Sequence, residues 1–159
     1  MKVVGLKALM PIVTGLVLCY LLLSSKAFAC DIKVFQAYVR ATPPGVNTAA
    51  AYLTLGNFAD QKCVLVGVIS NRAKQVMIHQ NQLQGDMMHM RHLSQLEILG
   101  RSRFTFKPGG HHLMLSGLSE ALKEGQQLTL KLQFESGQVL VVRLPVLAVG
   151  QEPDDMLNY

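Results

Sequence analysis

The chain has 159 residues, of which 50% are hydrophobic and only 6% aromatic, with no tryptophan and a formal net charge of +5. This length is sufficient for one domain with its own core and too short to predict two. Its basic residues form no extended cluster, which disfavours a nucleic-acid-binding protein.

The first 29 residues have the pattern of a cleavable secretory signal peptide. Lys2 and Lys7 give a basic start, positions 8–25 carry no charge, and residues 27–29 read Ala-Phe-Ala, the small-x-small pattern before a cleavage site. We therefore predict that the mature chain begins at Cys30 and is exported to the periplasm.

Two alternatives to cleavage are weaker. An uncleaved anchor is conceivable, because 18 uncharged positions reach the lower end of the about 17–25 residues that span a bilayer, but Pro11 and Gly15 favour cleavage. A lipoprotein fits poorly because Phe28 departs from a lipobox.

Cleavage leaves about 130 residues and lowers the net charge from +5 to +2, since three lysines and no acid are removed. We expect no stable membrane association after cleavage.

Two cysteines remain in the mature chain. Cys30 and Cys63 could form one disulfide in an oxidising compartment. Two free thiols are the alternative, because sequence alone does not show whether the two Cα atoms come within disulfide range.

The mature chain reads as a series of short strands separated by turn-forming residues, with no amphipathic helix of normal length. This pattern predicts an all-β fold, a sandwich or small barrel of mostly antiparallel strands, over residues 30–149. Residues 118–125 are expected to form one helical turn or a loop, and residues 150–159 a flexible acidic tail. The predicted strands are residues 31–40, 49–56, 63–70, 75–80, 87–93, 103–108, 111–117, 127–135 and 138–147.

The segment PGGHHLML, residues 108–115, is the most informative. On a strand, alternate side chains point to opposite faces, so His112 and Met114 share one face while His111 and Leu113 lie on the other. An imidazole and a thioether are thus directed to the same side.

Other histidines and methionines cluster around this segment. All five histidines lie between positions 79 and 112, and five of the six mature methionines lie between 77 and 114. Methionine is normally spread through a core as a gap-filler, so this clustering indicates a site. The candidate ligands are His79, His112, Met114 and either Met88 or Met90.

The ligand type indicates copper. Thioethers bind calcium, magnesium and manganese hardly at all and rarely bind zinc, whereas Cu(I) accepts both sulfur and imidazole. A blue-copper site would need a thiolate beside histidines, and no zinc-protease, nucleophile-elbow or phosphate-loop motif is present. We therefore predict a non-enzymatic copper-binding protein.

These residues resemble the periplasmic copper chaperone family PCuAC. His79, Met90, His112 and Met114 reproduce its H-x10-M-x21-H-x-M signature, and the flanking segments YVRATPPG, AAAYLTLGN and KPGGHHLML match as well. The resemblance extends from about residue 32 to residue 146. It departs at Tyr38, where the family commonly has tryptophan.

The resemblance implies a cupredoxin-like fold that binds one Cu(I) through His79, Met90, His112 and Met114. It also implies delivery of copper toward the Cu-A subunit of cytochrome c oxidase, alongside a Sco-type assembly factor, by a monomer. Alternatives that use the same site are a copper buffer or tolerance protein without a dedicated acceptor and a copper-dependent redox enzyme. An exported interaction domain with an incidental His/Met cluster is a further alternative.

Neighbouring side chains are expected to have supporting roles. We predict that Met77, Met87 and Met88 belong to the core or the rim, that His89 and His92 point away from or flank the site, and that His111 is a solvent-facing or supporting group. Arg40 is expected to hold a loop or pair with an acid.

Overall fold

A computed structural model describes residues 30–85 and 87–151. The predicted signal segment, residues 1–29, and most of the predicted tail, residues 152–159, lie outside this part of the chain. The described residues form ten strands joined by turns and loops: β1 (Ile32–Arg40), β2 (Thr48–Asn57), β3 (Cys63–Ser70), β4 (Ala73–Gln84), β5 (Met87–Leu93), β6 (Leu96–Ile98), β7 (Ser102–Phe106), β8 (His111–Leu118), β9 (Gln127–Phe134) and β10 (Val139–Leu147).

Seven of the strands close into a barrel in the order β4, β8, β2, β1, β10, β9 and β3. Strands β1 and β10 are parallel, with Val39 opposite Val146, and the other paired strands are antiparallel. The barrel closes where Val68 of β3 pairs with Val76 of β4. Strands β5, β6 and β7 extend the sheet from β4, β3 and β2. The predicted all-β fold is confirmed.

The core lies inside the barrel because each strand directs alternate apolar residues inward. On β8, Leu113 and Leu115 are fully buried, and on β9 Leu128, Leu130 and Leu132 follow the same period of two. Burying one such leucine side chain stabilises the fold by about 1.5–3 kcal/mol. The inward alternation of β8 therefore fixes which side chains of that strand are left on the outer face.

A disulfide joins Cys30, just before β1, to Cys63 at the start of β3. Their Cα atoms are 5.7 Å apart, within the usual range for a disulfide. Of the two alternatives that the sequence left open, the structure therefore has the bonded one.

The connections agree with the sequence prediction, which allowed a loop or one helical turn at residues 118–125. Residues 119–125 form a loop without a helical turn, and the buried Leu122 anchors it by donating its backbone N–H to Thr42 Oγ1 at 2.9 Å. Arg40 has the predicted structural role, since its guanidinium donates to the carbonyl oxygens of Ala148 and Gln151. No helix within the described ranges has the length and apolar character needed to cross a membrane.

Candidate metal centre

The candidate site lies on the outer face of three neighbouring strands, β5, β4 and β8. His79 at the middle of β4 is opposite His112 of β8 and opposite His92 of β5. Residues directly opposite each other on paired strands have their side chains on the same face. The three imidazoles therefore form a row across the three strands.

Two further rungs of the ladder bring methionines to the same face. Met114 of β8 is opposite Met77 of β4, and Met90 of β5 is opposite Asn81 of β4. Met77 and Asn81 are each two residues from His79 and thus share its face. The four residues predicted as ligands are consequently all on one side of this three-stranded layer.

The imidazole rings are close together. The ring centroids of His79 and His112 are 5.7 Å apart with the planes at 90°, and those of His79 and His92 are 5.9 Å apart at 86°. His79 is 9% exposed and His112 is 6% exposed, so both rings are largely shielded from water.

The Pro-Gly-Gly turn before β8 sets the orientation of His112. Gly109 adopts a positive φ of 76°, a conformation that glycine reaches without steric cost. The carbonyl oxygen of the next residue, Gly110, then accepts the backbone N–H of Asn81 at 3.2 Å and lies 3.2 Å from Nδ1 of His112. Because a carbonyl can only accept, Nδ1 of His112 carries the proton and Nε2 keeps its lone pair for a metal.

The surroundings of His79 favour its neutral form. Burial lowers the pKa of His79, and the neighbouring His112 and His92 lower it further, since a second positive imidazole nearby is unfavourable. Its Nδ1 atom is buried and has no hydrogen-bond partner. A buried polar atom without a partner costs free energy, and a neutral imidazole is the form that binds metal. These two properties fit a metal ligand.

Sulfur is needed to complete a metal site here. Within residues 30–85 and 87–151, no group of three or more His, Cys, Asp and Glu side chains is arranged to hold a metal ion. Three thioethers lie on the rungs next to the imidazole row and on the same face: the partly buried Met77 and Met114 on one side, and the 55% exposed Met90 on the other. A soft ion such as Cu(I) is the metal that this mixture of nitrogen and sulfur suits.

The structure also locates the neighbours of the predicted ligands. Met88 shares the face of Met90, whereas Met87 and His89 point to the opposite face. His92 and Met77 share the face of His79. The face of Met77 follows from the period of two along β4, whereas the sequence offered no signal for the face of His92, because it depends on how β5 is aligned with β4.

His111 is turned toward the inner side of β8. Its ring packs edge-on against Phe104 with centroids 5.0 Å apart. Burial, and then the nearby His112, lower the pKa of His111. It therefore packs on Phe104 and not on the face of the imidazole row.

Comparison with known proteins identifies the family. Residues 32–146 match the family model described as "Putative lipoprotein LpqE-like". The chain belongs to the LpqE-like family. A relative from Leifsonia xyli subsp. xyli, named "Putative lipoprotein Lxx21020", is 29% identical over 119 residues, which cover 74% of this chain and 70% of the relative.

Solved structures similar to this LpqE-like chain include PCuAC domains. The copper-bound PCuAC domain from PmoF2 is 26% identical, with a TM-score of 0.64, and the match covers 76% of this chain and 97% of that domain. The solution structure of CuI-DR1885 from Deinococcus radiodurans is 31% identical, with a TM-score of 0.62, and the match covers 84% of this chain and 85% of that protein. The predicted cupredoxin-like fold is thereby confirmed.

Proposed function

We propose that this LpqE-like protein is a copper chaperone that binds one Cu(I) through His79, Met90, His112 and Met114. The observation that carries the proposal is the strand register. His79 lies opposite His112, Met114 follows two residues after His112 on β8, and Met90 of β5 lies opposite Asn81, two residues after His79, all on one face. The copper-bound PCuAC domain of PmoF2 and CuI-DR1885, both similar in fold, are further support.

The donor set is suited to carrying copper and releasing it. Two imidazoles and two thioethers hold Cu(I) without any negative charge, so the ion is bound less tightly than in a thiolate cage. Met90 lies on an exposed strand, where an acceptor can approach. His79 and His112 form the shielded part of the site. An acceptor with thiolate ligands could then displace Met90 first and take the ion by stepwise ligand exchange.

We infer that the acceptor is the Cu-A subunit of cytochrome c oxidase or a Sco-type assembly factor, and that delivery occurs in the periplasm. The Cys30–Cys63 disulfide agrees with export, because disulfides persist in oxidising compartments. The lipoprotein name of the Leifsonia xyli relative also agrees with a protein of the cell envelope.

A titration followed by transfer tests this function. The apo protein is titrated with Cu(I) without oxygen against a chromophoric competitor, and the loaded protein is then mixed with a soluble Cu-A domain. We expect one Cu(I) per chain and movement of copper to the acceptor. Tight binding without transfer would indicate a copper buffer, turnover of a substrate would indicate a redox enzyme, and no stoichiometric binding would leave the His/Met cluster incidental.

A further inference from the structure

A third thioether lies on the face of the proposed Cu(I) site. Met77 of β4 is directly opposite Met114 of β8, and this rung is next to the one that joins the two imidazoles of His79 and His112. Met77 is partly buried, yet it belongs neither to the barrel core nor to the side chains packed against that core, whereas the neighbouring Val76 does pack there. The thioether of Met77 is therefore directed outward, to the side of the imidazoles.

The two rungs bring four donors around one point. Residues opposite each other have Cβ atoms about 4.5–5.5 Å apart, and neighbouring rungs of one face are about 6.6 Å apart along the strands. The rings of His79 and His112 have centroids 5.7 Å apart, which allows one ion between them at about 2.0 Å from a nitrogen of each. Methionine has three rotatable bonds and no branch, so Met77 and Met114 can both turn toward that ion. Strands β4 and β8 alone thus supply two imidazoles and two thioethers.

Met90 approaches the imidazole row from the other side. It lies opposite Asn81, which follows His79 by two residues, whereas Met77 precedes His79 by two. We therefore do not expect one ion to bond the thioethers of Met77 and Met90 at the same time. Two overlapping sets of four donors result, which share the two imidazoles and Met114 and differ in the fourth donor.

The two alternative fourth donors lie on strands with very different support. Met77 belongs to a barrel strand whose residues Ala73–Gln80 pair with β8, and the adjacent Val76 also pairs with β3. Met90 is 55% exposed on β5, which pairs with β4 at the edge of the sheet. Regions with few buried contacts open most easily. Met90 is consequently the donor that leaves first, and Met77 is the one that stays beside the imidazoles.

We propose that Met77 is a reserve ligand, which bonds Cu(I) in place of Met90 when β5 moves away or an acceptor displaces Met90. The inference rests on the proposed function, since it concerns the same Cu(I) ion. One copper–sulfur bond breaks and another forms, and both sulfurs are neutral thioethers, so no electron or proton is transferred. The ion would keep four donors while β5 is displaced.

A double-mutant cycle tests the proposal with Met90→Leu, Met77→Leu and the double substitution. Leucine conserves the volume of methionine and removes the sulfur. In a competition titration with a Cu(I)-specific chromophore, without oxygen, we expect each single substitution to weaken Cu(I) binding by less than about fivefold. The double substitution should weaken it at least about tenfold more than either single one, because two groups that replace each other are not additive in such a cycle.

X-ray absorption at the copper K-edge counts the donors directly. In Met90→Leu, which alters an exposed side chain, we expect two nitrogen and two sulfur neighbours, as in the unsubstituted protein, and in the double variant one sulfur. A single sulfur in Met90→Leu, or losses that simply add in the cycle, would overturn the proposal. So would a large loss in Met77→Leu combined with none in Met90→Leu, since Met77 would then be a permanent ligand in place of Met90.

Met88→Leu combined with Met90→Leu is the matched control. Met88 shares the face of Met90 but lies opposite Leu83, one rung farther from His79, so its removal should not weaken Cu(I) binding further. A further tenfold loss in this control, with no coupling to Met77, would make Met88 the reserve ligand and overturn the proposal. The unsubstituted protein tests the proposed function separately. If it binds no Cu(I), that function and this inference both fail, whereas Cu(I) binding with additive losses removes only the role of Met77.

Discussion

At the scale of single residues, Met114 is the position at which a sulfur donor can be removed with little disturbance. Met114→Leu conserves side-chain volume, so we expect a stability change below about 1.5 kcal/mol. Loss of the thioether should weaken Cu(I) binding by at least about tenfold, as for other groups needed at metal sites. A competition titration with a Cu(I)-specific chromophore measures the change.

Met87→Leu is the control for this substitution. Met87 is 66% exposed and points to the opposite face from Met88 and Met90. The Cu(I) affinity of the Met87→Leu variant should therefore equal that of the unsubstituted protein. If Met114→Leu binds Cu(I) as tightly as Met87→Leu does, Met114 is not a ligand.

The sequence predicts part of the site at this scale. Alternation along β8 is visible in residues 111–115, because His112 and Met114 alternate with Leu113 and Leu115. The position of His92 is not visible, because a shift of one residue in the β4–β5 register would turn every side chain of β5 to the other face. The side on which His92 lies is therefore known only from the pairing of whole strands.

At the scale of elements, β5 has the least support from the core. Its residues Met87–His92 are all exposed, and it pairs with β4. Strand β8, in contrast, pairs with both β4 and β2 and buries Leu113 and Leu115. Regions with few buried contacts open most easily. The proposed ligand Met90 thus lies on the most weakly held of the three strands.

Amide hydrogen exchange should therefore show that Cu(I) binding protects β5. In the apo protein we expect the amides of β5 to exchange faster than those of β8. Cu(I) should slow exchange in β5, because a Cu(I)–Met90 bond would link that strand to His79 and His112. Exchange of β9, which pairs with β10 and β3, should not change. Protection spread evenly over all strands, or absent from β5, would contradict a bridging role for Met90.

Strands were predicted correctly where a regular residue pattern continued over several positions, and the one strand too short to show such a pattern was missed. All nine predicted strands occur, because each has at least five residues in a regular pattern. Strand β6, with three residues, is too short to show a period, and it forms because β3 pairs with it from Cys63 to Leu65. Barrel closure was not predictable either, since it depends on the Val68–Val76 pair between strands that also have other partners.

At the scale of the whole molecule, the Cys30–Cys63 disulfide connects the segment just before β1 to the start of β3 across 33 positions. Closing a loop of this length reduces the entropy of the unfolded chain, and the chain-entropy relation gives a stabilisation of about 3.7 kcal/mol. We expect Cys30→Ser/Cys63→Ser to lower the free energy of unfolding by this order, measured in denaturant. Its Cu(I) affinity should persist, because Cys63 pairs with Ile98 of β6 and not with the strands of the site. A stability change below about 1 kcal/mol would indicate that the bond does not constrain the unfolded chain as that relation assumes.

The Cys30–Cys63 disulfide also has a consequence for lipid attachment. The family model and the Leifsonia xyli relative have lipoprotein names, and a bacterial lipoprotein carries its lipid as a thioether on a cysteine. Cys30 cannot form that thioether while its sulfur is bonded to Cys63. A single acyl chain would in any case give only marginal membrane binding, so a lipid anchor requires more than one.

We therefore predict that the exported protein is disulfide-bonded and carries no lipid. Its intact mass, measured without reductant, should equal that of the chain starting at Cys30 less two hydrogens, and osmotic shock should release it with soluble proteins. Cys63→Ser frees the sulfur of Cys30 and serves as the comparison, since a lipid-attaching enzyme that recognises this leader would then have access to it. An acyl mass on Cys30 in the unsubstituted protein, together with a Cys63 thiol that reacts with an alkylating reagent before reduction, would mean that the lipid and not the disulfide occupies Cys30.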